Sequence, residues 1–491
     1  MTIGRWRWQG AVALAVGLAA CVDGSPPIEG DGDGTSGGSS TTGPVVGDVT
    51  GPPMEGSTGG LTTDSPQPGT TTVVDDSSGP GSTGSTGEPG CEDCPEAQLD
   101  VVFVVDNSVS MGAPQHRLAT AAEALMEQFA LLEADRGIEL DLHLMVTTTD
   151  FGNPLCTPFQ PAGYSPSMGA PIDTPCVDRL DDFESLNGLL VTPEICTDVC
   201  GDSIAPSDPF VAVRGGEDNV PDGTALDALQ CLLPQGLIGC GFESPLETML
   251  QALNPGAGWN QPGNPFLRDD AALALVLLTD EMDCSAQDYS IFDNPELMNA
   301  NPNTGSPQAS SAICWNAGVS CDGPDGMGIY SDCMPTVGSG LHATARYRQY
   351  LIDELVGNQG KEVMMLALTG VPQVVEHSTE PPFEPVAGGI DDLVVRDWID
   401  FPYPAGDIIP SEWALGIDAA EKTFQLGIGP ACTTADSEGT FTQAVPAPRI
   451  QEVCQALDEQ EGAAHCCIES VCDDDYSPAM NCLRGMLETS L

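Results

Sequence analysis

The stretch "LDVVFVVDNSVSMG", residues 99–112, contains five consecutive apolar residues and then an acid and two hydroxyl side chains at alternate positions. A run that is apolar at every position is typical of a strand buried on both faces of a parallel sheet. Asp106, Ser108 and Ser110 follow this run, at the carboxyl end of the strand, where open α/β sheets bind their ligands. The stretch therefore predicts a central strand followed by a candidate binding loop.

Other apolar runs along the chain predict the rest of a sheet. "ALALVLL" at 272–278 and "VMMLALTG" at 363–370 predict two further buried strands, and residues 138–146 alternate apolar and polar, which predicts a strand half exposed near a sheet edge. Helices and strands alternate, so we expect a doubly wound, mostly parallel α/β sheet with disulfide-rich insertions. The other predicted elements are helices over 118–132, 347–355 and 450–457, a strand at 465–471 and a helix that begins at Ser477.

The N-terminus has the pattern of a bacterial export signal. In "MTIGRWRWQGAVALAVGLAAC", Arg5 and Arg7 precede an apolar run that is too short to span a bilayer. The ending "LAAC" resembles the lipobox of bacterial lipoproteins, which implies that residues 1–20 are a signal peptide and that Cys21 is acylated. The alternative is an ordinary cleaved signal peptide in which Cys21 has no role. We expect an exported lipoprotein of the outer membrane or cell surface.

Composition divides the remaining chain into two parts. Residues 21–90 consist largely of Gly, Ser, Thr, Pro and acids, which predicts a disordered tether. Residues 91–491 predict one large domain with insertions at about 151–235, 285–340 and 371–445. The chain has 14 Lys and Arg against 73 Asp and Glu. The resulting negative charge repels phosphate, so we expect no nucleic-acid partner and no membrane contact except through the lipid.

The cysteines predict disulfides. The chain contains 19 cysteines, and the 18 that remain after Cys21 are an even number suited to an oxidising compartment. Cys231 and Cys240 flank a short segment between two apolar helical patterns. Closing so short a loop costs little chain entropy, so we predict that these two cysteines pair.

A second set of acids, "TDEMD" at 279–283, leaves the carboxyl end of another apolar strand. The pattern Asp-x-Ser-x-Ser, followed by Thr-Asp after a later strand, resembles the metal-ion-dependent adhesion site of von Willebrand factor A domains. The resemblance implies that Ser108 and Ser110 ligate a divalent cation, Mg²⁺, Ca²⁺ or Mn²⁺, and that Asp106 and Asp280 act largely through water. The alternative is that Asp106 and the serines merely cap the following helix.

The family also places a Thr on a loop between these strands. The candidate segment here is "GCGFESPLETMLQAL", residues 239–253, in which Glu243 lies nearest to the Thr position. A ligating Glu243 would add negative charge, tighten cation binding and weaken the attraction for an outside carboxylate. Other residues expected to support the site are Ser244, Thr279, Glu281 and Asp283.

A serine hydrolase is the enzyme alternative. "GDS" at 201–203 and "GAAHCC" at 462–467 echo the Ser and His signatures of trypsin-like proteases. Ser203 precedes His465 in the chain, the glycines of an oxyanion loop are missing after Ser203, and the region is α/β, so we expect no catalysis.

The chain as a whole is similar to cysteine-rich surface lipoproteins with von Willebrand factor A domains, of the type found in myxobacteria. The similarity implies an adhesion or binding protein that engages a protein or cell-surface ligand, for example through an acidic side chain. The alternative is a disulfide-braced structural module whose cation site is degenerate.

Overall fold

The computed structural model describes residues 94–158, 160–185, 190–413, 416–435, 441–459 and 464–490. The predicted signal peptide, Cys21 and the predicted tether lie outside these residues. Within the described ranges, no helix combines the length and the apolar composition needed to cross a membrane.

Strands and helices alternate along the described chain. In chain order the strands are β1 (Glu96–Val105), β2 (Glu139–Thr148), β3 (Glu184–Ser185), β4 (Leu190–Val191), β5 (Val211–Arg214), β6 (Glu217–Asp218), β7 (Ala272–Leu278), β8 (Val319–Asp322), β9 (Ser331–Pro335), β10 (Val363–Thr369), β11 (Glu376–His377), β12 (Pro385–Ala387), β13 (Cys432–Ala435), β14 (Phe441–Ala444) and β15 (Cys466–Ser470).

The α-helices are α1 (Gly112–Arg136), α2 (Glu194–Thr197), α3 (Ala225–Leu232), α4 (Pro245–Ala252), α5 (Ala312–Gly318), α6 (Ala345–Arg348), α7 (Pro410–Trp413), α8 (Ala419–Leu426), α9 (Pro448–Asp458) and α10 (Ser477–Ser490). A π-helix, Gln349–Asn358, continues α6. Short 3₁₀ turns lie at Val109–Met111, Cys176–Phe183, Gly258–Asn260, Tyr289–Asp293 and Gly389–Asp392.

A seven-stranded sheet forms the centre of the fold, in the order β15-β10-β7-β1-β2-β5-β6. The five strands from β15 to β2 are parallel, and β5 and β6 add an antiparallel edge next to β2. The predicted α/β class with a mostly parallel sheet is confirmed. The apolar runs at 272–278 and 363–370 form β7 and β10, and every residue of both strands is buried, as expected for strands that are almost entirely apolar.

Helices cover both faces of the sheet. Val101, Phe103 and Val105 of β1 pack in one core with α1 and α10, whereas Val102 and Val104 pack in a second core with α4 and α9. Successive side chains of a strand point to opposite faces, so a strand between two helical layers must be apolar throughout. This explains why β1 has no polar alternation before Asp106.

The prediction that the second strand is half exposed is wrong. β2 is buried along almost its whole length, including Asp141 and His143. Arg268 donates to Asp141, with Nη1 2.6 Å from Oδ1, and to Asp100 of β1, with Nε 2.8 Å from Oδ1. The polar residues of β2 therefore belong to a buried ion-pair cluster, and the edge strands β5 and β6 cover the outer side of β2.

Disulfides brace the segments between the main strands. In the described part, the cysteine pairs are Cys156–Cys240, Cys176–Cys196, Cys200–Cys231, Cys284–Cys314, Cys321–Cys333, Cys432–Cys472, Cys454–Cys466 and Cys467–Cys482. The prediction of structural disulfides is confirmed.

The predicted pairing of Cys231 with Cys240 is wrong, since Cys231 bonds to Cys200 and Cys240 to Cys156. The segment between them is not a tight turn. The Gln115 side chain of α1 accepts hydrogen bonds from the Gln235 and Gly236 amides, at 2.8 and 3.2 Å, and pins the segment open. The two cysteines therefore face different neighbours.

Candidate cation-binding site

The candidate site lies where the chain connections of the sheet change direction. From β1 the chain continues to β2 on one side, while β7 pairs with β1 on the other side. Val105 pairs with Leu278, so the residues that follow these two strands leave the sheet side by side. In doubly wound sheets this crevice, outside the carboxyl ends of the strands, is the usual place for a ligand.

Asp106 organises the first loop of the site. Its Oδ1 accepts a hydrogen bond from the Ser108 amide at 2.8 Å, and its Oδ2 accepts one from the Thr279 hydroxyl at 2.6 Å. The Oγ atoms of Ser108 and Ser110 lie 3.3 Å apart, with Ser108 buried and Ser110 exposed. Neither the 3₁₀ turn that follows Ser108 nor α1 has a side-chain cap, so these hydroxyls are not used for helix capping.

The second loop, after β7, provides Asp280 and Glu281. These two residues are 4% and 9% exposed. Asp280 Oδ1 and Glu281 Oε2 have no hydrogen-bond partner in the described structure. Burial raises the pKa values of both acids well above the ordinary range, the charge of Asp106 raises that of Asp280 further, and the charges of Asp280 and Asp106 raise that of Glu281; hydrogen bonds with Ser110 and Ser311 oppose the rise in Asp280 and Glu281, respectively.

The third loop brings Glu243 to the same place. Glu243 is 0% exposed, its Oε2 accepts a hydrogen bond from the Thr149 hydroxyl, and its Oε1 has no partner among the described residues. The Gly239 amide donates to the Asn107 carbonyl at 2.9 Å, which joins this loop to the first one. A Cβ at position 239 would lie 2.7 Å from that carbonyl oxygen, so the contact requires glycine.

The buried acids of the three loops repel one another. Burial raises the pKa of Glu243 well above its usual value, and the charges of Asp106 and Asp150 raise it further. Burial likewise raises the pKa of Asp106, while the hydrogen bonds from Thr279 and Ser108 oppose this rise. Close, buried carboxylates of one sign are stable in their charged form only when a positive charge compensates them.

A buried lysine from a distant segment interacts electrostatically with this cluster. Lys422, in α8, is buried, and its Nζ donates to Gln443 Oε1 at 2.6 Å. The same Nζ lies 4.8 Å from the ring centroid of Trp413 and 5.5 Å from that of Trp398. Burial lowers the pKa of Lys422 to about 7, and the negative charge of Asp280 opposes the decrease.

The donor set of the cluster fits a hard divalent cation. Mg²⁺ and Ca²⁺ take carboxylate and hydroxyl oxygens as ligands. Three buried acids, Glu243, Asp280 and Glu281, each keep one carboxylate oxygen without a hydrogen-bond partner in the described part. Buried polar atoms are normally satisfied, so these three oxygens are candidate ligand atoms for a cation or for coordinated water.

Among the described residues, two other groups each have their potential ligand atoms within 4.8 Å of one another: one is Cys176, Cys196 and Cys200, and the other is Cys467, Glu469 and Cys482. All five of these cysteines are in disulfides, so they offer no thiolate to a metal. The carboxylates at the ends of β1 and β7 do not form so close a group. Acids that act through an intervening water lie farther from the cation, so a wider spacing fits such a role.

The structure brings together Asp106, Ser108, Ser110, Glu243 and Asp280, with Thr279 and Glu281 beside them. Ser244 donates its amide to the Thr149 carbonyl at 2.9 Å and precedes α4.

Asp283, which was expected to support the cation site, instead forms an ion pair with Arg449. Its Oδ2 lies 2.9 Å from Arg449 Nε in an ion pair whose two side chains are fully buried. Its Oδ1 accepts hydrogen bonds from the Leu246 amide and the Ser285 hydroxyl, at 3.2 and 2.6 Å. Asp283 therefore holds α4 and Arg449 in place and has no direct contact with the cation cluster.

Sequence reasoning missed Thr149, Asp150 and Lys422. Asp150 Oδ2 accepts hydrogen bonds from the Tyr164 hydroxyl at 2.7 Å and from the Cys240 amide at 3.2 Å, and so supports the loop that carries Glu243. The sequence "TTTD" at the end of β2 was a usable signal for the first two residues, since it also leaves a central strand at its carboxyl end.

The Ser and His of the enzyme alternative have separate partners. Ser203 is exposed and its hydroxyl donates to Asp178 Oδ2 at 2.5 Å. His465 Nε2 lies 3.5 Å from Glu362 Oε2, next to the two disulfide cysteines that begin β15. Neither residue contacts the cluster around Asp106.

No family model matches the sequence, and a search of curated proteins gives no significant match.

Proposed function

We propose that this chain is a divalent-cation-binding adhesion protein of the von Willebrand factor A type, which binds a protein or cell-surface ligand and catalyses no reaction. The observation that carries the proposal is the set of buried acids, Glu243, Asp280 and Glu281, each with one carboxylate oxygen that lacks a partner in the described structure. A cation in this crevice would compensate their negative charge, directly or through coordinated water.

The architecture supports the family assignment. The parallel strands, the antiparallel edge formed by β5 and β6, and helices on both faces agree with the fold that the "DNSVSM" and "TDEMD" motifs imply. Both motifs leave adjacent strands at the same edge of the sheet, as the resemblance requires.

In this proposal, Ser108 and Ser110 provide hydroxyl ligands, while Asp106 and Asp280 hold coordinated water. Glu243 provides a further carboxylate, which favours tight retention of the cation. The bound cation supplies an electrophilic coordination position for an acidic oxygen of the ligand. Ser110 is exposed, so the cluster is approached from the side of this hydroxyl. The extra charge of Glu243 reduces the attraction for an outside carboxylate, so ligand binding is weaker than cation binding.

The location follows from the N-terminal sequence. In this proposal, Cys21 carries the lipid and anchors the protein to the outer membrane or cell surface. The second candidate function is a disulfide-braced structural module with a degenerate cation site, and the many disulfides of the described part favour it.

Isothermal titration with Mg²⁺, Ca²⁺ and Mn²⁺ separates the two functions. We expect the wild-type chain to bind at least one of these ions, and Ser110→Ala to weaken binding about 10–100-fold, as loss of a metal-site partner does elsewhere. Ser203→Ala is the matched control, because Ser203 is also an exposed serine hydroxyl beside an acid. A wild-type chain that gives no binding with all three ions supports the structural module instead.

Ligand engagement needs a separate measurement. The Cys21→Ser chain, which lacks the acylation site, is labelled and incubated with cells in the preferred divalent ion or in chelator. We expect cation-dependent binding that Ser110→Ala reduces. Equal binding in chelator would contradict the adhesion role even where calorimetry detects the ion.

A further inference from the structure

The β11–β12 hairpin covers an edge of the central sheet. β15 is the outermost strand on this side and pairs only with β10 in the described structure. β12 and the 3₁₀ turn Gly389–Asp392 pack against β15, and every residue of β15 is buried. The edge of a sheet carries backbone groups with which another strand could pair, so this cover determines whether the edge is accessible. We call residues 373–388 the strap.

The strap is tight at its base and rests on a helix at its tip. At the base, Gly388 has a φ of 78°, and a Cβ there would lie 2.0 Å from the Gln373 carbonyl oxygen. At the tip, a Cβ on Gly485 of α10 would lie 2.5 Å from the Pro382 Cα. Both close contacts depend on the absence of a side chain. The strap therefore resembles a flap with a fixed base, whose outer part is held by contacts with β15 and α10.

One ion pair holds the middle of the strap to β15. His377 Nε2 lies 3.0 and 3.2 Å from the two carboxylate oxygens of Glu469. The Glu469 side chain is 2% exposed, against 23% for His377. Apart from the Cys467 sulfur at 3.5 Å, the Glu469 carboxylate has no other hydrogen-bond partner in the described part. A buried carboxylate needs a positive partner or a proton, so the imidazolium of His377 stabilises the closed strap.

Acidic groups surround this ion pair. Asp473, which follows β15, accepts a hydrogen bond from the Val374 amide of the strap at 3.0 Å. The other acids of the strap and of the segments packed against it are Glu376, Glu380, Glu384, Asp391, Asp392 and Asp474. Arg484 of α10 is paired elsewhere, with Asp135 and Glu488. His377 is therefore the group whose charge balances the acids under the strap.

The closed strap favours the protonated forms of three groups. The hydrogen bond with Glu469 is the main cause of the raised pKa of His377, and the charges of Glu469 and Asp473 add to it. Burial raises the pKa of Glu469, against the effect of His377, and raises that of Asp473 to about 7. A group whose pKa is raised in the closed form stabilises that form at low pH and loses this contribution as the pH rises through the raised pKa.

We propose that residues 373–388 form a pH-dependent strap, which is held on the sheet edge by the ion pair between His377 and Glu469 and opens when His377 loses its proton. At acid pH the imidazolium balances the buried carboxylate. As the pH rises, His377 becomes neutral and Asp473 becomes charged, and both changes favour the open form. Opening uncovers the edge of β15. This inference is independent of the proposed cation site.

Hydrogen exchange followed by mass spectrometry at about pH 5 and 8 tests the opening, once the rates are corrected for the intrinsic effect of pH. The amides of Val374 and Val375 report on the closed strap, because they donate to Asp473 Oδ1 and to the Ala387 carbonyl, both at 3.0 Å. We expect the protection of the strap to fall about tenfold between these pH values, the change that a pKa difference of one unit produces. The central strand β7 is the internal reference and should keep its protection.

Two variants separate the ion pair from the other titrating groups. Glu469→Gln removes the carboxylate that needs the imidazolium, so the strap should stay protected at the higher pH and lose most of its pH dependence. His377→Gln removes the positive partner of Glu469, so the strap should open at a lower pH than in the wild type. His465→Gln is the matched control, because His465 Nε2 also lies near a glutamate, 3.5 Å from Glu362 Oε2, and should leave the strap unchanged.

The acid next to the ion pair needs its own variant. Asp473→Asn should keep the part of the pH dependence that comes from His377. Wild-type protection that is equal at the two pH values overturns the inference. A pH dependence that Glu469→Gln leaves undiminished also overturns it, since another group would then control the strap. If Glu469→Gln does not fold, the transition of His377→Gln decides, and an unshifted transition overturns the inference.

Discussion

Glu243 and Asp283 are both fully buried acids near the carboxyl end of β7, but they have different partners. The effect of replacing Glu243 on thermal stability should therefore depend on a divalent cation, whereas the effect of replacing Asp283 should not. Glu243 has an unpartnered oxygen in the described structure, whereas Asp283 pairs with the fully buried Arg449. We predict that Glu243→Gln impairs only the stabilisation by the cation and that Asp283→Asn impairs only the intrinsic stability.

The magnitudes follow from the size of the folded part. About 380 residues are described, and an unfolding entropy of about 2.1 cal/mol/K per residue makes 1 kcal/mol equal to a little over 1 °C in thermal midpoint. A cation present at 100 times its Kd stabilises the wild type by about 2.7 kcal/mol, which is about 3 °C. A 10–100-fold loss of affinity in Glu243→Gln reduces this gain to about 0.5–2 °C.

In chelator, Asp283→Asn is expected to lower the thermal midpoint more than Glu243→Gln does. Burial and the neighbouring acids raise the pKa of Glu243 and so disfavour its charge; Glu243→Gln removes that charge while keeping the size of the side chain, and should change the midpoint by no more than about 1 °C. Asp283→Asn leaves the Arg449 charge buried without its partner, which costs about 3–5 kcal/mol, or about 4–6 °C, with or without the cation.

Differential scanning calorimetry of the wild type, Glu243→Gln and Asp283→Asn, with Ca²⁺ or Mg²⁺ and with chelator, measures the thermal midpoint of each protein with and without the cation. A cation-induced gain in Glu243→Gln equal to that of the wild type would refute the assignment of Glu243 to the site. A cation-dependent loss in Asp283→Asn would refute the separation of the two acids.

Three further predictions concern other parts of the chain. Burial raises the pKa of Asp473 from 3.8 to about 7. Between about pH 4 and 7 the native state therefore retains a proton that the unfolded state loses, and stability falls as the pH rises. Asp473→Asn should reduce this fall in thermal midpoint with pH, and an unchanged slope would contradict the prediction. Non-reduced peptide mapping should recover Cys231 with Cys200 and Cys240 with Cys156, and a Cys231–Cys240 peptide would count against the structure. Cys21→Ser should abolish acylation and release the protein from membranes, whereas unchanged fractionation with membranes would exclude a lipid anchor at this residue.

The central sheet was predictable because its strands are apolar on both faces, a local property of residues such as those of β1, β7 and β10. The burial of β2 was not predictable in this way, since Asp141 is compensated by Arg268, which is distant in the chain. The cysteine pairs were also not predictable from local sequence. The short chain separation favoured a bond between Cys231 and Cys240, but hydrogen bonds to the Gln115 side chain of α1 determine the course of the segment between them.

Some residues of the candidate site could likewise be predicted from the sequence, and others could not. Asp106 and Asp280 could be placed together because each directly follows an apolar strand, and parallel strands end at one edge. Lys422 lies in a helix between two loops, and no spacing in the sequence relates it to Asp280. The electrostatic effect of Asp280 on the pKa of Lys422 arises only from the packing of segments that are distant in the chain.

Under the proposed function, the disulfide between Cys156 and Cys240 determines at which stage after synthesis the cation site is fully assembled. Cys240 lies three residues before Glu243, and Cys156 lies in the segment that follows β2. While these two thiols are reduced, the loop that presents Glu243 lacks its covalent attachment. A newly made chain in a reducing compartment is therefore expected to bind divalent ions weakly, and to gain affinity as it oxidises. Material produced for binding studies should accordingly be folded under oxidising conditions, or it will represent the immature form.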